Sequence, residues 1–310
     1  MRLASAGLRA VLCLLPCLLT APACAAPLDA ALDGVVQPYV DDHRFSGAIL
    51  IEKNGTIIFD KAYGLANAES GQPNRTSTRF HIGTLSMQYT AVVMMHLVEI
   101  QRVTLENTAG QFLPGLGDHA SASIRDLLAV SPDSPAAAAD YEILARVAEA
   151  STARTFAFVS DQSVFASVWL SGSGIDDGTL PAESNVARGY AFADGQLKPA
   201  STDWRALAGA ASVYTTTRDE LHWLDAFFGD NLLTAASRQT ILGSPAGFGW
   251  FHGQRLGVES YWMAGAAPGF ASYVLRQPGT GLTVIVLSNV ANMSVEPIGN
   301  RLAEAVLGAR

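Results

Sequence analysis

Charge and cysteine are what this chain has least of. Only 15% of its 310 residues are charged, against 49% apolar. That balance excludes long disorder, because such a chain readily builds a core. The three cysteines, Cys13, Cys17 and Cys24, all lie near the start. If that segment is removed, a chain of about 285 residues is left without disulfides and held by apolar burial alone. The six histidines are scattered, and neither H-E-x-x-H nor C-x-x-C occurs, so no metal site and no cofactor is expected. Lysine is scarce too. Three places before Lys53, Lys61 and Lys198 stand Leu50, Ile58 and Gly195, so no S-x-x-K exists in any register. G-x-S-x-G is also missing, which removes the nucleophile elbow.

The first 25 residues carry their own pattern. Arg2 and Arg9 precede the apolar run A-V-L-C-L-L-P-C-L-L-T, and A-C-A follows as a small-residue cleavage site. A signal peptide over 1–25 is expected, with a periplasmic or secreted mature chain. Lipid modification at Cys24 is the lesser alternative, since A-P-A-C lacks an aliphatic residue upstream. The run is too short, and too interrupted by Pro16, to span a bilayer. Removing Arg2 and Arg9 takes the net charge from −8 to −10. Such acidity disfavours nucleic acid and anionic membrane surfaces as partners.

Beyond the leader, S-G-A-I-L-I-E-K-N-G-T-I-I-F-D-K-A-Y-G reads as two strands around Asn54-Gly55, the strongest short hairpin signal. A helix apolar nearly all round, hence buried, is expected over about 84–101. Ala-rich helical pieces and polar loops follow, including Ile124–Val130 and Tyr141–Ala150. V-E-S-Y-W-M-A-G, A-S-Y-V-L-R-Q and L-T-V-I-V-L-S-N then return to strand character. A last helix carries Ile298, Leu302 and Val306 at spacing four, with Gly308 at its end. The simplest assembly is an α+β sandwich: one antiparallel sheet built from both chain ends and flanked by helices. This makes 26–310 a single domain, with sheet-bearing parts at about 27–103 and 206–310 and a mainly helical insertion at about 104–205.

With these elements in place, the sequence resembles the serine β-lactamase and penicillin-binding-protein superfamily, in its class C-like, esterase and D-aminopeptidase branch. R-F-H-I-G-T-L-S-M-Q-Y-T-A resembles the family's F-R-I-G-S-x-S-K-Q-F-T-A. S-I-R-D-L-L, A-R-G-Y, Y-T-T-T-R-D, G-F-G-W and A-A-P-G-F-A-S-Y resemble further landmarks in the expected order. The resemblance implies a serine that attacks a carbonyl and a lysine one helical turn on that helps remove its proton. It also implies a Y-x-N on the helical part and an H-x-G on the strand lining the cleft. At those positions this chain has Thr84 for the serine, Met87 for the lysine and Met263-Ala264-Gly265 for H-x-G. The Y-x-N position falls near Ala136-Ala137-Ala138, just before Tyr141. What the resemblance leaves is a backbone oxyanion hole at Thr84 and Ala266, with Tyr141, Trp262, Gly265 and Phe270 as candidate cleft lining.

Thr84 as a nucleophile would need a base or a lowered pKa, and Met87 supplies neither; capping the helix is the plainer expectation for its hydroxyl. The first functional reading is an exported pseudoenzyme that binds a small-molecule or peptide ligand in the modified cleft, or an envelope protein. The alternative is an active hydrolase of β-lactamase, esterase or D-Ala peptidase type, using Thr84 or Ser86 with Tyr89 or His81 as the base. A purely structural role in an envelope assembly is the third.

Overall fold

A computed structural model describes residues 28–181, 185–229, 231–244 and 246–308. The expected signal segment and its three cysteines lie outside the described residues. Seven strands, β1 (Gly47–Lys53), β2 (Thr56–Tyr63), β3 (Ala246–Gly247), β4 (Trp250–Arg255), β5 (Val258–Ala267), β6 (Phe270–Gln277) and β7 (Leu282–Ser288), form the main sheet. Their spatial order is β3-β4-β5-β6-β7-β1-β2, every neighbouring pair antiparallel. The two ends of the chain therefore meet at the β7–β1 pairing, where Gly47 faces Ser288 and Lys53 faces Leu282. Asn54 and Gly55 have φ of 52° and 78°, both left-handed as a type I′ hairpin turn requires.

The five longest helices are α1 (Leu28–Asp41), α2 (Met87–Glu99), α3 (Ala137–Thr152), α4 (Thr217–Phe228) and α5 (Glu296–Gly308). Alternation along the strands decides what each covers. Ile49, Ile51, Val284 and Val286 point to the face packed by Leu32 and Val36 of α1 and by Ile298, Leu302 and Val306 of α5. Ala48, Leu50, Ile285 and Leu287 point to the opposite face and join the core built around α2. Ten of the thirteen residues of α2 are buried, because sheet and insertion enclose it from several sides. No helix among the described residues is long and apolar enough to cross a membrane.

The stretch expected as helices and loops holds more extended structure than that. Tyr190–Ala193 pairs with Gln196–Pro199 around Asp194-Gly195, whose φ values of 53° and 75° make a second left-handed turn. Phe80–His81, Val213–Thr215 and Gly174–Ile175 form a small three-stranded sheet. That sheet ties the insertion to the chain just ahead of α2.

The turn leading into α2 sits directly on β5. A Cβ at Gly265 would run into the Ile82 carbonyl and Ser272 Oγ and lie 2.7 Å from the Leu85 nitrogen. Backbone cannot yield as a flexible side chain does, so Gly265→Ala is expected to destabilise the protein by about 3 kcal/mol. Gly279→Ala, where nothing lies within 4 Å of the added carbon, should change stability by no more than about 0.5 kcal/mol. Urea unfolding of the two variants in parallel checks this; equal midpoints would show that the approach of the turn to β5 is not tight.

Candidate functional site

The site grows from the five residues Ile82 to Ser86. Ile82 donates its N–H to the Val213 carbonyl at 3.1 Å, and its own carbonyl accepts the Ser272 hydroxyl at 2.7 Å. Gly83, with φ of 58°, starts a 3-10 turn over Gly83–Ser86, and the α-helix proper opens at Met87. A Cβ on Gly83 would strike the Ala266 carbonyl. On the far side, Gly249 presses against the same helix start, its absent Cβ 2.7 Å from the Met87 carbonyl carbon. Glycine on three segments lets backbone meet backbone here.

This geometry corrects the expectation that Thr84 caps the helix. Its side chain turns sideways, and Oγ1 accepts the N–H of Ala266 on β5 at 3.2 Å. That is its one hydrogen bond among the described residues. Thr84 and Ala266, the two backbone positions of the implied oxyanion hole, are thus brought together. A carbonyl arriving there would compete with the threonine's own oxygen for the Ala266 donor.

Met87 is 1% exposed and part of the apolar core, as is Met263 at the same exposure. Gly265 underlies the turn, and Ala137 is buried at the start of α3, where the resemblance has a Y-x-N. Tyr141 is fully buried, with its hydroxyl 3.4 Å from the Leu128 carbonyl; it belongs to the core of the insertion and not to an open wall. Trp262 packs against the cluster of α1 and α5, stacked on Phe251 and under Arg255. With Met263, Ala264, Pro132 and Asp133 it also lines a hollow of about 370 Å³. Phe270 is buried and lines a hollow of about 150 Å³ with His81 and Trp204. A hollow of about 620 Å³ lies elsewhere, against α3, lined by Glu142, Arg146 and Arg205. Thr179 there donates its hydroxyl to Asp177 Oδ1 at 2.5 Å, but none of the lining residues belongs to the Ile82–Ser86 turn or to β5.

None of the alternative bases reaches Thr84. His81 is buried, stacked on Trp204 at 3.7 Å between ring centres, with Nε2 2.9 Å from Asp176 Oδ2. Burial pulls the His81 pKa below its ordinary value despite the pull of Asp176 in the other direction. Burial pushes Asp176 up, but His81 and the Gly178 N–H outweigh it and leave the carboxyl below its usual range. The pair is therefore a neutral imidazole donating to a carboxylate. Ser86 is fully buried, its hydroxyl accepting the Val213 N–H at 3.1 Å, so a substrate has no access to it. Tyr89 turns away from Ser86 and donates to Glu220 Oε2 at 2.7 Å. Its ring stacks on Trp223 and Phe165. Burial pushes the Tyr89 phenol well up and raises the Glu220 carboxyl to about 7. Sequence reasoning missed both buried pairs; their partners lie 95 and 131 residues away.

The family model described as Beta-lactamase matches residues 32–308. The chain is 31% identical over 91 residues to Esterase EstB of Burkholderia gladioli, covering 29% of this chain and 23% of that one. It is 25% identical over 93 residues to the teichoic acid D-alanine hydrolase of Staphylococcus aureus, covering 30% and 23%. Each match thus spans under a quarter of the curated relative. Among solved structures, FmtA from Staphylococcus aureus superposes with a TM-score of 0.78 at 18% identity, covering 91% of this chain and 87% of that one. That likeness concerns the fold.

Glu220 links the core around α2 to pH. Its pKa is raised from 4.5 to about 7, so between those values the folded chain holds a proton that the unfolded chain releases. Stability is then full below about pH 4.5 and falls as pH rises through 7, by about 3 kcal/mol in all. Glu220→Gln keeps an acceptor for Tyr89 and should flatten this fall. Urea midpoints at pH 5, 6, 7 and 8 test it; an unchanged slope in the variant would exonerate Glu220.

Proposed function

The chain belongs to the beta-lactamase family, and we propose that it is an exported member which no longer transfers acyl groups and works by binding a ligand or a protein partner at the altered cleft. One observation carries this reading: Thr84 Oγ1 meets the Ala266 N–H and no titratable group. A hydroxyl without a base is a poor nucleophile. Met87, at the position the resemblance gives to lysine, is sealed in the core. Where catalytic groups act as a unit, loss of a central member costs on the order of 10⁴ to 10⁶ in turnover. Here the base and the third group are both replaced.

Binding can outlast such losses. The N–H groups of Thr84 and Ala266 belong to the backbone, so they persist whatever side chains flank them and can still hold a carbonyl oxygen. A relative named for teichoic acid D-alanine hydrolysis makes an acyl-D-alanine carbonyl the first ligand chemistry to try. Export rests on the basic, apolar and small-residue pattern of residues 1–25, and a periplasmic or secreted location follows from it.

Intact-mass spectrometry after incubation with a fluorescent penicillin and a fluorophosphonate is the decisive experiment. The expected result is unmodified protein, and acylation gained in the double variant Thr84→Ser, Met87→Lys. An adduct on wild-type Thr84, or turnover of a p-nitrophenyl ester that Thr84→Ala abolishes, would overturn the reading.

A further inference from the structure

Trp169 is out of keeping with the other large side chains of the molecule. It is 84% exposed and has φ of 60°, a left-handed conformation that a bulky residue rarely takes. Its neighbours explain how it is held there. Val168 and Leu170 are buried at 6% and 3% exposure. The Val168 and Leu170 N–H groups donate to Val164 and Phe165 carbonyls at 3.2 and 2.8 Å. Pinned on both sides, residue 169 can send its side chain only outward. The Leu170 and Trp169 N–H groups donate to the Phe165 and Ala166 carbonyls and so close the preceding helical turn as a Schellman cap, which accounts for the left-handed backbone but not for an indole left in water.

The indole borders a cleft of about 520 Å³ that also touches Ser167, His222, Asp225 and Asn231. That volume falls within the roughly 300–1,000 Å³ of small-ligand sites. His222 and Asp225 stand nearly one turn apart on the exposed face of α4. Arg276 Nη2 holds Asp225 Oδ1 at 3.0 Å, which fixes the carboxylate and leaves Oδ2 without a partner among the described residues. The cleft therefore joins one flat apolar face to an imidazole, an amide, a hydroxyl and a pre-oriented carboxylate.

We propose that Trp169 and the polar rim formed by His222, Asp225 and Asn231 make a saccharide-binding site, separate from the cleft at Thr84. A pyranose has a face of C–H groups that covers an indole and an edge of hydroxyls that both donate and accept. The donors match Asp225 Oδ2, and the remaining hydroxyls match the imidazole and the amide. Arg276 is shared between Asp225 and the buried Glu52, and a cationic ligand fits less well because a single ring makes no cage. A flat protein partner would leave the polar cleft beside the ring unfilled.

The test uses the chain from residue 26 and linear tetrasaccharides, chitotetraose, cellotetraose and maltotetraose, followed over a wider glycan array. The expected result is saturable binding of at least one, seen by calorimetry and as a blue shift of tryptophan emission. Trp169→Ala should weaken it at least tenfold, Trp169→Phe less, and Asp225→Asn to an intermediate degree, with circular dichroism unchanged. Thr84→Ala should leave it intact, so its outcome is independent of the acylation experiment. Three results would overturn the proposal: no glycan bound across the array, binding that survives Trp169→Ala, or self-association by sedimentation that Trp169→Ala abolishes without any glycan effect.

Discussion

The approach of the Ile82–Ser86 turn to β5 is the constraint on which the rest depends. Gly83, Gly249 and Gly265 remove the side chains that would hold the segments apart. Backbone and Ser272 then lock them with hydrogen bonds at Ile82, Val213 and Ala266. Everything at the site follows from this seating: where α2 begins, where Thr84 points, and which strand N–H it meets. The hydroxyls of Thr84, Ser86 and Ser272 supply one side of three of these bonds. The side chains of Met87 and Met263 supply none, so those two positions are free to vary while the frame stays closed.

Polarity inside the molecule has been placed away from that centre. Behind α2, Tyr89 and Glu220 share a proton-bearing hydrogen bond within stacked aromatic rings. Ahead of it, His81 and Asp176 form a second buried pair under Trp204. Each satisfies most of its own needs, and neither reaches the Thr84 hydroxyl. A buried carboxyl with no cation beside it prefers to stay protonated, so the core around α2 is stabilised by neutrality and by aromatic packing. At the turn itself Ile82 and Leu85 face inward with the Ser86 hydroxyl, which is taken up by the Val213 N–H, so no inward group there titrates.

Much of the fold was legible in the sequence, because its signals are local. Asn54-Gly55 specifies its own turn, the run 258–288 is rich in β-branched and aromatic residues broken by turn sequences, and Ile298, Leu302 and Val306 mark one face of α5. The hairpin around Asp194-Gly195 carried the same kind of signal, but its strands are short and polar, and Ala-rich neighbours drew the reading toward helix. The burial of Tyr141 was not legible, because it depends on how α3 settles against Leu128.

What the sequence determined by itself is the inventory: no lysine or serine at the family spacing, no cysteine beyond Cys24, strands at both ends and a buried helix between. These are matters of residue identity and of periods within a few positions. Tertiary structure alone decided the partners. That Thr84 faces the Ala266 N–H across 182 residues, that Tyr89 finds Glu220, and that Trp169 is pinned outward beside His222 and Asp225 all arise from the closing of distant segments. Local propensity carries no record of such pairings, since the energy that selects them exists only once the chain has packed.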